Sequence, residues 1–384
     1  MKILLVSSSS GSRGGGELYL LYLARALVAR GHETILWAAT HERMDELCAS
    51  FAAIGRVVRA DYTNMYDRRL RSLASHLDFA GARTVAAQWR ELAPEVVHLN
   101  KQNLEDALDL QRAARMSGIP TLTTIHITQS AAYLRARNAG LRDWVSRRAL
   151  AKFPGLLVAV LGQRAADLHA FLGPEPRIRT VDNGVELYDL TQRSEIRGAQ
   201  RAELGVSPEA MLFVAVGRLV PQKRPLHFLG EAARILRQVP HARFIWVGDG
   251  PLGDEWDAAV AQQGLGSAVQ RLGWQRQVRD FLFAADVFLH TAEFEGLPLA
   301  LLEALSAGLP CALGPNLLAE LPFLNAENSI ALDDAGSWAP VFRDPARLRA
   351  IGGRGRRLAE ERFSFSRMAA EYEALYLEAR AQKI

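Results

Sequence analysis

Short, uninterrupted apolar runs alternate with amphipathic stretches along the whole chain. Continuous apolar runs of this length read as strands buried on both faces, and the helical stretches between them supply the cover. In the first half the runs are Ile3 to Val6, Thr34 to Trp37, Val96 to Leu99, Thr121 to Ile125, Leu156 to Leu161 and Ile178 to Val181. In the second they are Met211 to Val216, Phe244 to Val247, Val269 to Leu272, Val287 to His290, Cys311 to Leu313 and Ser329 to Leu332. The alternation predicts an α/β protein with one doubly wound parallel sheet in each half. The turn pair Asn183-Gly184 marks the boundary, and the polar stretch Leu190 to Arg201 leads into the second domain. A last helix is expected over Met368 to Ala381, where Tyr372, Leu375, Tyr376 and Ala379 recur at helical spacing. Open parallel sheets bind ligands at the carboxyl ends of their strands, so two such domains facing each other would hold one in the cleft.

At 384 residues, 49% apolar and 23% charged, the chain is too long for a single core and suits two domains. The opening Met-Lys-Ile-Leu-Leu-Val-Ser carries one cation and too short an apolar run for a signal peptide, and reads as the first strand. No stretch approaches the length of a membrane span. Cys48 and Cys311 lack metal spacing, which fits packing residues in a reduced cytosol. The net charge of +4 conceals an asymmetry: residues 1–185 hold 24 Lys and Arg against 17 Asp and Glu, the remainder 22 against 25. From Tyr133 to Lys152, Leu134, Leu141, Trp144 and Val145 are interleaved with Arg135, Arg137, Arg142, Arg147 and Arg148. Such a segment suits either an anionic membrane surface or a solvated helix face. No nucleic-acid signature accompanies it.

The densest candidate chemistry lies in residues 293–308, EFEGLPLALLEALSAG. Pro298 suits a first helical position and Gly308 the residue past the end, which predicts a helix from Pro298 to Ala307. Its only ionisable side chain is Glu303, ringed by Leu299, Leu301, Leu302, Ala304 and Leu305, and a buried carboxylate needs donors. Glu303 lies roughly 7 Å along the axis from Pro298, with Glu295 at the helix mouth, so one ligand could touch both. The plainer alternative is that Glu303 pairs with a nearby Arg or caps a loop. Gly217-Arg218-Leu219-Val220-Pro221-Gln222-Lys223 follows another strand and would aim Arg218 and Lys223 at a ligand. A departing nucleoside diphosphate needs its charge neutralised by metal or cations. The chain has no Asp-x-Asp pair, which leaves Arg and Lys as the available cations. Ser7 to Gly16, SSSSGSRGGG, opens a helix and would present amides to an anion. The dinucleotide fingerprint needs glycine at position 13, which is Arg, so a nicotinamide role is disfavoured. His126 ends a strand-like run, as do His98, Asn100, Lys101 and Asn103, candidates for acceptor hydroxyls.

Glu295, Glu303, Ala304, Gly308 and Pro310 together resemble the donor-site signature, Glu-x7-Glu, of the retaining GT-B glycosyltransferases of family 4. The resemblance covers nearly the whole chain. Gly217 to Lys223 resembles the family's phosphate motif, and Gly15 and Gly16 with Arg30-Gly31-His32 resemble its opening loop. Asn183-Gly184-Val185-Glu186 departs from the family's Asn-Gly-Val-Asp at Glu186, and Ile127 stands after His126 where the family has Asp. The resemblance implies a GT-B fold of two Rossmann-like domains facing across a cleft: acceptor-binding residues 1–185, nucleotide-sugar-binding residues 186–365, and a helix at 366–384 crossing back. It assigns Glu295, Gly296 and Leu297 to the sugar, Glu303 to the ribose, Gly273 and Trp274 to the base, Gly217, Arg218 and Lys223 to the diphosphate, and His126 to the reacting face. It implies a metal-independent transferase with a nucleotide diphosphate sugar, in most such enzymes UDP-linked, as co-substrate and no further cofactor. A saccharide or lipid-linked acceptor of cell-envelope synthesis fits the basic, aromatic first half, as does a place on the inner face of the plasma membrane. A sugar-nucleotide epimerase of the same fold, which needs no acceptor, is the alternative; a sugar-binding protein without turnover is a third.

Overall fold

A computed structural model describes every residue except 10, 12, 175, 176, 383 and 384. The chain forms two compact units, Met1–Gly184 together with the terminal helix Phe365–Ala381, and Val185–Ser364. The first unit holds a seven-stranded sheet made of β1 (Lys2–Ser7), β2 (Glu33–Ala39), β3 (Arg56–Ala60), β4 (Val96–Asn103), β5 (Thr121–Ile127), β6 (Leu156–Ala159) and β7 (Ile178–Thr180). The second holds six: β8 (Met211–Val216), β9 (Ala242–Val247), β10 (Val269–Arg271), β11 (Val287–His290), β12 (Cys311–Leu313) and β13 (Ile330–Ala331). Strand orders are 3-2-1-4-5-6-7 and 10-9-8-11-12-13, and the named strand pairs are parallel. Both sheets are therefore doubly wound, with chain order reversing beside β1 and beside β8, the places where such sheets hold ligands.

The apolar runs form strands because both sheet faces are covered. Ile3, Leu4, Leu5 and Val6 are fully buried, as are Leu212, Phe213 and Val214. In the first core Trp37 meets Trp89 edge-on; in the second Phe213 stacks on Phe244 at 4.8 Å. Each such aromatic contact adds about 0.5–1.5 kcal/mol beyond burial.

Several expectations change in detail. β3, sequence Arg-Val-Val-Arg-Ala, was not anticipated, because an edge strand with one neighbour need not be apolar throughout. Arg59 instead ties it down, donating to the carbonyls of Ala39 and His41 and pairing with Asp45. β4 continues past Leu99 to Asn103, since its polar residues find partners inside the unit. Leu190 to Arg201 is no simple connection: Arg193–Glu203 is a helix, and Arg197 and Arg201 both pair with Asp286. The helix expected from Pro298 runs Leu299–Ser306, one residue shorter at each end, because Pro298 is extended (ψ 117°) and serves as the N-cap. Gly308, at φ +69°, takes the left-handed position that ends it.

Where the chain passes from the first unit to the second and back, backbone joins backbone. Val185 bridges Ser364 in parallel and donates to the Phe363 carbonyl at 2.8 Å. The terminal helix then lies on the first helix, Gly15–Ala29, and on β5. Tyr372 and Tyr376 are fully buried there, Tyr376 hydroxyl bonding His98 Nδ1 at 2.8 Å and Tyr372 hydroxyl bonding Thr124 at 2.8 Å. At the rim Arg30 pairs with Glu373 and Arg179 with Glu378.

Candidate functional site

In the second unit three glycines let neighbouring strand ends close on one another. A side chain on Gly248 would strike the Gly217 carbonyl, and the Gly248 amide donates to Gly273 at 2.7 Å. Trp246 Nε1 donates to the Gly217 carbonyl at 2.8 Å, fixing the point where β8 turns into the Arg218 loop. Gly273, at φ +69°, needs its freedom to make that turn, and Trp274 follows it, half-buried.

The loop after β8 is laced to the loop after β11. The Glu293 amide donates to the Gln222 carbonyl at 2.9 Å, Gln222 Nε2 donates to the Phe294 carbonyl at 3.0 Å, and the Thr291 hydroxyl donates to the Lys223 carbonyl at 3.2 Å. These bonds bring Lys223 Nζ onto Glu295 Oε1 as an ion pair, with Glu295 buried. Burial alone would raise the Glu295 carboxyl, but the Lys223 ammonium and the neighbouring His290 ring outweigh it and hold the group at about 2. A carboxyl depressed in this way adds stability in full above its ordinary value of 4.5, and loses it as pH falls through about 2. His290 Nε2 lies 3.3 Å from the same Oε1.

Arg218 is exposed on the same loop. Gly296 and Leu297 are buried between Glu295 and the helix, and Glu303 is buried within it. Tyr188, which the sequence did not single out, has its phenol raised first by burial and then by the Glu303 charge. Its backbone amide donates to the Ser306 hydroxyl at 2.8 Å. Gln222, His290 and Tyr188 carry no spacing signal; only the folded loops reveal them. Among the described residues no group of three or more His, Cys, Asp or Glu is placed to hold a metal ion.

In the first unit Gly15 and Gly16 begin the helix at the end of β1, with Ser10 and Ser12 of the expected loop outside the described residues. A side chain on Gly16 would fall on the Gln102 amide, and Asn100 Nδ2 donates to the Gly16 carbonyl at 3.1 Å. That bond turns Asn100 Oδ1 toward His126, whose Nε2 lies 2.7 Å away and therefore carries the proton. Desolvation draws the His126 ring down to about 4, so it is neutral at physiological pH. Tyr19 packs edge-on against it at 4.8 Å. The expectation that His98, Lys101 and Asn103 offer themselves to acceptor hydroxyls is corrected. His98 is fully buried between Thr124 and Tyr376; Lys101 Nζ is spent on Gln111 and the Leu104 carbonyl; Asn103 Oδ1 caps the amides of Glu105 and Asp106. Asn100 serves His126.

Two family models match the chain: Glycosyltransferase Family 4 over residues 13–188 and Glycosyl transferases group 1 over residues 210–326. An Escherichia coli UDP-Gal:alpha-D-GlcNAc-diphosphoundecaprenol alpha-1,3-galactosyltransferase is 31% identical over 206 residues, 52% of each chain. The putative glycosyltransferase EpsF of Bacillus subtilis is 26% identical over 53% of this chain and 54% of its own. The matches thus span about half the length of these relatives. Among solved structures, HepE of Anabaena in complex with UDP-glucose superposes with a TM-score of 0.78 at 19% identity, covering 98% of this chain and all of that one. Sucrose-phosphate synthase from Thermosynechococcus elongatus gives 0.78 at 18% identity over the whole of both chains. At such identities the structures speak for the fold, and the two family models speak for descent. The chain has the GT-B fold and is related, over residues 13–188 and 210–326, to Glycosyltransferase Family 4 and Glycosyl transferases group 1.

Proposed function

We propose that this protein is a retaining glycosyltransferase that moves a hexose from a UDP-linked donor to an acceptor hydroxyl. The observation that carries the reading is the buried Lys223–Glu295 pair at the switch point of the second sheet, with Arg218 on the same loop and Glu303 in the following helix. Arg218 and Lys223 neutralise the diphosphate, Glu295 with the backbone of Gly296 and Leu297 binds the sugar hydroxyls, and Glu303 accepts from the ribose. In front-face transfer the bond from the anomeric carbon to the diphosphate oxygen breaks, its electron pair leaving with UDP. The acceptor oxygen bonds the same face of that carbon, and its proton passes to the departing diphosphate oxygen. His126, neutral and holding its proton toward Asn100, has its other nitrogen as an acceptor to offer a sugar hydroxyl. Donors aimed at charge that develops in the transition state are the strongest contribution available to such a site.

The test is donor turnover. UDP release from UDP-galactose, UDP-glucose and UDP-N-acetylglucosamine is measured with wild-type protein and with Arg218→Ala, which is expected to lose more than tenfold in turnover while keeping its fold. Equal turnover in the variant removes Arg218 from the reaction. An epimerase would interconvert the sugar with donor alone and release no UDP, so the products separate the two readings.

The acceptor we propose is lipid-linked and presented at an anionic membrane surface. Among the described residues, seven of the ten exposed large hydrophobic side chains fall in two stretches of the first unit, residues 66–79 and 133–144, including Leu70, Phe79, Tyr133 and Trp144. The helices there, Arg71–Leu77 and Ala139–Ala151, pack on each other, and Arg69, Arg71, Arg135, Arg137, Arg147 and Arg148 are exposed beside them. Arg142 is not part of this surface: it forms a two-pronged pair with Glu105 at 2.7 Å. Among the described residues no helix is long and apolar enough to cross a membrane. Wild-type protein is expected to sediment with vesicles of phosphatidylglycerol and not with phosphatidylcholine, and Leu141→Ser/Trp144→Ser to lose about tenfold in partitioning. Binding indifferent to lipid charge would end the idea.

A further inference from the structure

His290 is absorbed by none of the roles above, yet it sits inside the donor site. It ends β11, is 4% exposed, and stacks on Phe288 at 5.6 Å between ring centres. Its Nε2 is buried, 3.3 Å from Glu295 Oε1, and falls short of a well-formed hydrogen bond. That oxygen is the one Lys223 already holds. The arrangement is a conflict in waiting. On the reading proposed above, Lys223 must turn its ammonium toward an arriving diphosphate, while Glu295 must stay ionised and aimed at the sugar. A buried carboxylate that loses its cation is destabilised unless another donor replaces it.

We propose that His290 is the positioning residue of Glu295: as the donor's diphosphate draws Lys223 away, the His290 Nε2–H completes its bond to Oε1 and keeps the carboxylate pointed at the hexose. A small ring rotation suffices, since the two atoms are already within reach. Burial, the main influence on the ring, holds His290 below its ordinary value and therefore neutral, so it supplies a proton to share without cancelling the Glu295 charge. Gln222 Nε2 makes a long bond, 3.5 Å, to the other carboxylate oxygen, Oε2, and already donates to the Phe294 carbonyl, so Oε1 is left to His290.

The inference rests on the proposed donor site and predicts a split that a purely structural histidine would not show. His290→Phe keeps the ring stack and removes the donor; His290→Gln restores an N–H near the Nε2 position. Affinities for UDP and for UDP-glucose, UDP-galactose and UDP-N-acetylglucosamine are measured by calorimetry on full-length protein, with melting temperatures in parallel and UDP release from the best sugar as turnover. Expected is a His290→Phe variant that binds UDP within about threefold of wild type but loses about tenfold in affinity for the UDP-hexose or in turnover, the loss recovered by His290→Gln. Equal losses for UDP and the UDP-hexose, a Gln variant as poor as the Phe variant, or no loss at all would overturn the role of His290 while leaving the donor site standing. Wild-type protein that binds neither UDP nor any of the three sugars removes the donor site itself and this inference with it.

Discussion

Lys223→Met lowers sugar-transfer turnover by about two to three orders of magnitude, the range for removing one preorganised donor to developing charge. It also destabilises the second unit, by about 3 kcal/mol, because the buried Glu295 carboxylate keeps its charge and loses its cation. The two effects have different causes and come apart in the double variant Lys223→Met/Glu295→Gln. Neutralising both partners restores most of the stability and none of the turnover, as replacing both members of a buried pair does elsewhere. Urea unfolding across pH adds a second check with a definite sign. In wild type the Glu295 carboxyl is held at about 2, so its stabilisation is full above 4.5 and fades as pH falls toward 2. The stability gap between wild type and Lys223→Met is therefore widest at neutral pH and narrows through that acid window. A gap that stays constant from pH 7 to pH 2, or turnover within tenfold of wild type, would falsify the assignment of Lys223 as both partner and diphosphate ligand.

Tyr372→Ala has the second large effect, and it falls on the first unit. Tyr372 is fully buried, its ring 4.8 Å from His98 and its hydroxyl 2.8 Å from Thr124. Truncating a core aromatic removes about 3–5 kcal/mol and leaves the Thr124 hydroxyl with one partner fewer. In a unit of this size that is a fall of about 10 °C in melting temperature. Tyr376→Phe, which removes only the bond to His98 Nδ1, should cost about 1–2 kcal/mol. Hydrogen exchange locates the damage: amides of β4, β5 and the first helix lose protection in Tyr372→Ala, while those of β8 and β11 keep theirs. Uniform loss across both sheets, or none, contradicts the view that this helix is built into the first unit.

The fold was legible wherever burial on both faces forced a run of apolar residues, as at Ile3 to Val6 or Met211 to Val216. It was hidden at Arg56–Ala60, whose partner-poor edge tolerates arginines that only the folded Ala39 and His41 carbonyls explain. The carboxylate pair and the cations of the second half stood out because charges are rare in apolar surroundings. Their mutual contact did not, for Lys223 and Glu295 are 72 residues apart and meet only because two loops are tied backbone to backbone. The same limit misplaced Lys101 and His98. A polar side chain at a strand end looks equally ready for a ligand or for a buried neighbour, and the neighbours, Gln111 and Tyr376, come from distant turns of the chain.

The Val185–Ser364 bridge makes the second unit a closed loop of chain, entered and left at one doorway. A segment whose ends already touch can be lifted out or exchanged without cutting a strand of its host. If the second unit binds the donor as proposed, its selectivity for the activated sugar can drift, or be transplanted, while the half that carries the terminal helix keeps its own sheet intact.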